Sequence, residues 1–255
     1  SLASRTGRAV PYLTVVTDSF VINKSWLCSK SPLWAVTDPW TRAIMEEKGL
    51  PQDRLRVTGF PVNPVLGALA KEHPLSWKEG EPFRVLYFAQ RSARHARAEL
   101  AGMLDANPAL HVTCILGRRF RRIYPRIRDL RARYGRRLTV RGWTRRVPSY
   151  LAASHVVVGK AGGATVHEVL AAARPMLVNF LLPGQEEGNT RLLEKLGGGG
   201  HVPDVRALAS ALQEMMADGG AQWRRMHENL LRAGMTGGSG RIADLALKLA
   251  EEHTN

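Results

Sequence analysis

The sequence predicts an α/β fold built on parallel sheets, and three observations point to it. Five short apolar segments recur at 83–89, 110–117, 137–142, 155–159 and 175–180. Helical stretches fill the gaps between them, for example 92–106, 118–134 and 163–173. With 255 residues, 44% of them apolar, the chain can bury one large α/β domain or two smaller ones. Near-continuous apolar strands alternating with helices belong to a sheet covered on both faces. Residues 83–237 therefore read as a Rossmann-like domain.

Taken in order, "YLTVVTD" (12–18), "LWAVT" (33–37) and "RLRVTG" (54–59) are expected strands, rich in Val, Leu and Thr. "PWTRAIMEEKGL" (39–50) opens on proline and closes near glycine, the signature of a short helix. Residues 1–72 thus read as the remaining part of an N-terminal Rossmann-like domain. Ser1 in place of an initiator methionine reads as a chain cut from something longer. "HPLSWKEGEP" (73–82) has the prolines, glycine and mixed charge of a linker. The last 50 residues read as helices, and 238–255 form a terminal one in which apolar residues recur at helical spacing.

No apolar run approaches the roughly 20 residues of a membrane span, and no signal peptide is visible. Cys28 and Cys114 lie too far apart in sequence for a metal or disulfide framework and read as buried small apolar residues. Lys plus Arg is 37 against 22 acidic residues, a net charge of +15, which implies an anionic partner. The stretch 118–137 concentrates that charge. It reads as a solvated helix face, as a surface for anionic lipid, or as a single-stranded RNA site. RNA would need interleaved aromatics for base stacking, and only Phe120, Tyr124 and Tyr134 are present.

The chemistry concentrates in two loops within "GKAGGATVHEVLAAARPMLVNFLLPGQEEGNT" (159–190). In open α/β sheets ligands bind beyond the carboxyl ends of the strands, which is where "GKAGGAT" falls. Gly162 and Gly163 allow a sharp turn into a helix whose N-terminal amides suit a diphosphate, though many purely structural turns carry glycines. Glu168 either accepts hydrogen bonds from ribose hydroxyls or closes a capping box in "TVHE" (165–168). In the second loop Gln185, Glu186, Glu187 and Asn189 either read a sugar's hydroxyls or cap the helix beginning near Glu187.

These loops resemble the donor-binding segment of monogalactosyl- and diglucosyldiacylglycerol synthases and of the related peptidoglycan GlcNAc transferase. The resemblance extends through "LTVRGWTRRVPSYLAASHVVVGKAGG" to "VVTD", "WAVTDPWTRAIMEEKGL" and "RVTGFPVNP", nearly the whole chain. It implies the GT-B fold, two Rossmann-like domains of which the N-terminal one is incomplete here. It also implies an inverting, metal-independent hexosyltransferase with no cofactor, using UDP-galactose, UDP-glucose or UDP-GlcNAc as co-substrate. The implied acceptor is a membrane lipid of the diacylglycerol type, at the cytoplasmic face of a membrane to which the protein binds peripherally. Carried over by position, Gly162, Gly163, Ala164 and Thr165 hold the UDP diphosphate, with Lys160 adding charge. Glu168 binds the ribose, while Arg141, Trp143 and Thr144 receive the uracil. Gln185, Glu186 and Asn189 read the donor sugar.

The chain departs from that pattern in three places. The family's N-terminal strand and glycine-rich loop, with its histidine, are missing, and no catalytic residue is named. After "VTD" the chain reads "SFVINKSWL" (19–27), where Trp26 matches an acceptor-side tryptophan or is simply a packed aromatic. Asp18 is an acceptor-side candidate or a turn cap. After the strand at 83–89 the usual glycine-rich turn is replaced by "QRSARHAR" (90–97). Two alternatives to the lipid transferase remain: a basic, non-catalytic module for RNA or anionic lipid, and a soluble UDP-sugar transferase or epimerase.

Overall fold

The computed structural model describes residues 11–72 and 75–253, the side chains of 70–72 and of Gln185 excepted. Two parallel sheets form its frame. The first has three strands in the order β1 (Thr14–Val15), β2 (Trp34–Val36), β3 (Leu55–Val57). A short helix α1 (Lys24–Leu27) follows β1, and α2 (Pro39–Glu47) follows β2. Pro39 at its first turn and the Asp38 carboxylate, accepting from Thr41 N–H at 2.7 Å, start α2 where the sequence predicts. The small core beneath this sheet is Val16, Ile22, Trp34, Val36, Met45 and Leu55, with Trp26 packed at its margin.

α3 (Val65–Glu72) leads out of this unit, and Leu66 packs with the second one. The expected linker is only partly separate. His73 and Pro74 lie outside the described residues, but Trp77 is buried and meets Phe83 edge-on. That indole anchors the connection in the second core.

The second sheet has six strands. These are β4 (Phe83–Phe88), β5 (Leu110–Ile115), β6 (Leu138–Arg141), β7 (Val156–Lys160), β8 (Met176–Phe180) and β9 (Gly199–His201). Their spatial order is β6-β5-β4-β7-β8-β9, all parallel, so the winding reverses between β4 and β7. Side chains alternate between two cores. Val85 and Tyr87 face α4 (Ala93–Ala106) and its neighbours, while Leu86 and Val157 face α8 (Gly163–Ala171).

The helix expected over 118–134 is broken. α5 (Phe120–Ile123) and α6 (Arg128–Tyr134) are separated by a tight turn at Tyr124–Arg126, because Pro125 cannot continue the ladder. α7 (Val147–Ala152) and α9 (Gln185–Lys195) complete the crossovers. β9 arises at the end of the glycine run at 197–200, where no strand is expected from the sequence. Then come α10 (Val205–Met216), α11 (Ala221–Ala233) and α12 (Gly238–Glu252), the last lying against the first unit. No helix among the described residues is long and apolar enough to cross a membrane. Cys114 is buried as expected, its thiol pushed up by burial, but Cys28 at the end of α1 is exposed.

Candidate functional site

The site is built beside the point where the winding reverses, at the carboxyl ends of β7 and β8. β7 ends at Lys160 and α8 begins three residues later. Gly162 is its N-cap in an extended conformation, with no side-chain oxygen over the first turn. The capping box in "TVHE" does not form, because Thr165 lies inside the helix that Gly162 begins. The first-turn amides of α8 therefore stand at the positive end of its dipole without a side-chain cap.

α9 begins at Gln185 after Gly184, whose φ of 93° turns the chain. The Gln185 side chain lies outside the described residues. The next turn is stitched to the first loop at two points. The Glu186 carboxylate accepts from Leu182 N–H at 2.7 Å and pairs with the Lys160 ammonium. Asn189, 1% exposed, donates from Nδ2 to the Ala161 carbonyl at 3.0 Å. That bond fixes the amide, so its Oδ1 is a buried acceptor with no partner among the described residues. Glu186 stands in the first turn of α9 and its carboxylate accepts from backbone just ahead of that helix, as the helix-capping alternative expects, while also holding Lys160.

A cavity of about 350 Å³ opens between the two units. One wall is Gly162, Gly163 and Ala164 with Lys160, Glu186 and Asn189; the other is Thr17, Asp18 and Phe60. Asp18 is 3% exposed, and its carboxylate accepts from the Trp26 indole N–H at 2.6 Å. The two acceptor-side candidates are thus bonded to each other, with Trp26 half-buried against the small core.

The glycines have a second reason to be there. A Cβ on Gly163 would stand 2.8 Å from the Thr17 carbonyl oxygen, and one on Gly188 only 1.9 Å from that of Ser19. Backbone of the first unit, rather than a ligand, makes these close approaches. Gly162 by contrast has ordinary room beside the Lys160 side chain.

Other residues singled out in sequence stand outside the cavity wall. Glu168 is one turn into α8 and half-buried, and burial raises its carboxyl above the usual range. Arg141 ends β6 and Trp143 and Thr144 follow it, at the sheet edge three strands from β7. Trp143 is 60% exposed with the Arg145 guanidinium 5.7 Å above its ring. Arg141 Nε donates to the Tyr150 hydroxyl at 3.3 Å, and the Thr144 hydroxyl accepts from Arg146 N–H at 3.0 Å.

Three features were not anticipated. Phe60 lines the cavity and stacks on His167, ring centroids 4.4 Å apart. His167 reaches from α8 into the first unit, its Nε2 3.2 Å from the Ser19 hydroxyl. Burial lowers its pKa to about 4, although the Asp38 charge pulls the other way. Finally, Glu99 on α4 is 3% exposed and gathers the Tyr87 hydroxyl, Asn179 Nδ2 at 2.9 Å and Arg91 at 3.3 Å. Phe60 and His167 lie within the runs "RVTGFPVNP" and "TVHE", but contacts between distant segments leave no local pattern.

The chain matches no family model. It is 24% identical over 256 residues to the processive diacylglycerol beta-glucosyltransferase of Bacillus subtilis, covering 98% of this chain and 66% of the relative. It is 25% identical over 262 residues to the probable monogalactosyldiacylglycerol synthase 2, chloroplastic, of Oryza sativa subsp. japonica, covering 95% and 50%. The chain spans about half to two thirds of the length of these relatives. Among solved structures, Acinetobacter baumannii MurG superposes with a TM-score of 0.67 at 16% identity, covering 97% of this chain and 69% of that one. The UDP-GlcNAc 2-epimerase of Neisseria meningitidis bound to UDP-GlcNAc gives 0.67 at 13%, covering 94% and 70%. Anabaena HepE in complex with UDP and glucose gives 0.57 at 13%, covering 94% and 71%. The fold is GT-B, and the resemblance drawn from the two loops to the glycolipid synthases holds.

Proposed function

We propose that this chain carries the donor site of an inverting, metal-independent glycosyltransferase that moves a hexose from a UDP-sugar to a membrane lipid of the diacylglycerol type. One observation carries the reading. The uncapped first turn of α8 opens into a cavity along a wall shared with Lys160, Glu186 and Asn189, whose Oδ1 is buried and unpaired among the described residues. Amides at a helix N-terminus hold a diphosphate, and a sugar needs fixed acceptors for its hydroxyls.

In this reading the N–H groups of Gly163, Ala164 and Thr165 hold the diphosphate, Gly162 lets it approach, and Lys160 adds charge. Ribose hydroxyls donate to Glu168. The uracil lies toward Arg141, Trp143 and Thr144 at the β6 end. Gln185, Glu186 and Asn189 meet the sugar, with Asp18 and Trp26 on the acceptor side. An acceptor hydroxyl attacks the anomeric carbon from the face opposite UDP and loses its proton to a general base, and the bond to the UDP oxygen breaks. The α8 dipole and Lys160 stabilise the departing diphosphate. The curated relatives, named for diacylglycerol glucosyl transfer and monogalactosyldiacylglycerol synthesis, support the lipid acceptor.

Peripheral placement at the cytoplasmic membrane face is supported by the surface between β5 and β6. Arg118, Arg121, Arg122, Arg126, Arg128 and Arg136 are exposed and pair with no carboxylate among the described residues. The stacking sites that RNA would use are engaged elsewhere. Phe120 and Tyr124 stack on each other at 4.7 Å, and Tyr134 is 6% exposed with its hydroxyl on Asp105.

Calorimetric titration with UDP, UDP-galactose, UDP-glucose and UDP-GlcNAc, with ADP and GDP as controls, tests the reading. UDP-selective binding is expected, weakened in Glu168→Ala. No binding at millimolar ligand by folded protein would overturn it.

A further inference from the structure

We infer that Arg91 is the group this chain sets against the donor's diphosphate from the β4 side of the cleft. The inference rests on the donor-site reading above and adds to it a residue that reading does not use. At the reversal of a doubly wound sheet two strand-to-helix turns face one another, here those after β4 and after β7. The β7 turn offers glycine and an open helix start. The β4 turn offers neither. Residues Ala89–Ser92 contain no glycine. The Ser92 hydroxyl oxygen stands over the first turn of α4, accepting from His95 N–H at 3.5 Å and 2.8 Å from the His95 ring Nδ1. An anion approaching from that side meets a side chain, not backbone.

Arg91 is the cation at that turn. Its guanidinium lies 5.6 Å from the centroid of the Phe180 ring, and one N–H is 3.3 Å from Glu99 Oε1. Glu99 is itself immobilised by Tyr87 on β4 and Asn179 on β8, so it fixes Arg91 in direction. Arg119 donates to the backbone oxygens of Gln90 and Arg91 and holds the turn from outside. Phe180 is the register partner of Lys160. Arg91 and the phosphate-side lysine therefore share the carboxyl crest of the sheet, separated by one strand position.

The two cations differ in what they have left. Lys160 and Arg91 each pair with one carboxylate and are similarly exposed, 29% and 27%, but Arg91 has five N–H donors and uses one of them on Glu99. A planar guanidinium held at one edge presents the rest of its fork to phosphate oxygens in a fixed direction.

The test is calorimetry of wild type, Arg91→Gln and Arg91→Lys against UDP and uridine, with thermal melts to confirm folding. Glutamine retains a donor for Glu99. The expected result is a UDP affinity about ten- to hundredfold lower in Arg91→Gln, with uridine affinity unchanged and Arg91→Lys in between. Unchanged UDP affinity, or parallel loss of UDP and uridine, would overturn the assignment. Should Arg91→Gln unfold, Arg91→Lys decides: a selective loss for UDP supports the fork, and wild-type affinity for UDP overturns it. Failure of the donor-site reading shows separately, as wild-type protein that binds neither ligand.

Discussion

Helices α4 and α8 start at the carboxyl ends of neighbouring strands and begin in nearly the same backbone shape, yet they are finished differently. The N-cap of α4 is Ser92 at φ −67°, ψ 165°; that of α8 is Gly162 at φ −67°, ψ 140°. Only the hydroxyl is missing from the second. Each helix also buries an ionisable side chain in its second turn. Glu99 on α4 turns toward its own sheet and is bonded by three donors. His167 on α8 turns toward the other unit and is held neutral among Ser19 and Phe60. One helix is tied down inside its domain. The other is left open at its start and committed, one turn later, to the neighbouring unit.

The contrast breaks most visibly at Gly163. Valine there has no room beside the Thr17 carbonyl, and a loss of about 3 kcal/mol in chemical denaturation is expected, together with loss of UDP binding. A loss below about 1 kcal/mol would mean that the first unit yields at this contact.

A smaller effect separates the two buried groups by pH. The pKa of His167 is depressed from 6.5 to about 4, so the unfolded chain binds its proton first. Its contribution is complete above pH 6.5 and declines as pH falls toward 4. Between pH 7 and 5 it falls by about 2 kcal/mol. His155, also lowered to about 4, acts in the same direction. The difference in slope between wild type and His167→Gln therefore isolates His167, and equal slopes would refute its burial as neutral imidazole.

The caps give the smallest energies. Ser92→Ala should cost about 1 kcal/mol and leave uridine affinity unchanged. Gly162→Ser should stabilise by a few tenths of a kcal/mol, since Gly162 has room for the side chain, yet weaken UDP binding about tenfold by occupying the amides. Tighter UDP binding in Gly162→Ser would reverse the reading of α8 as the anion-facing helix.

Much of this frame was legible because parallel strands and capped helices leave local signals. The apolar run "VVVGK" becomes β7, and Asp38-Pro39 starts α2. Some errors are local, such as the break that Pro125 makes in 118–134, and others come from contact between distant segments. "TVHE" satisfies a capping rule locally, but β7 and Gly162 begin the helix earlier. Gly163 suits a phosphate loop in sequence and Gly188 falls in the second loop, whereas packing against residues 17–21 supplies an independent demand for both. Glu186 and Lys160 are 26 positions apart, and nothing in either neighbourhood announces their bond.

The terminal helix has a consequence for how the molecule is made. Gly238 packs so closely beneath the first unit that a Cβ would meet the Phe60 carbonyl oxygen at 2.1 Å. Ser239 donates to the Val62 carbonyl and Arg241 to that of Thr58, across 177 and 183 residues. A chain emerging from the ribosome exposes the receiving backbone at 58–62 long before the segment that covers it. The two units can each begin to organise during synthesis, but their clasp waits until residues 238–241 have been made. Synthesis of residues 238–241, rather than of either sheet, therefore sets the moment at which this contact can close.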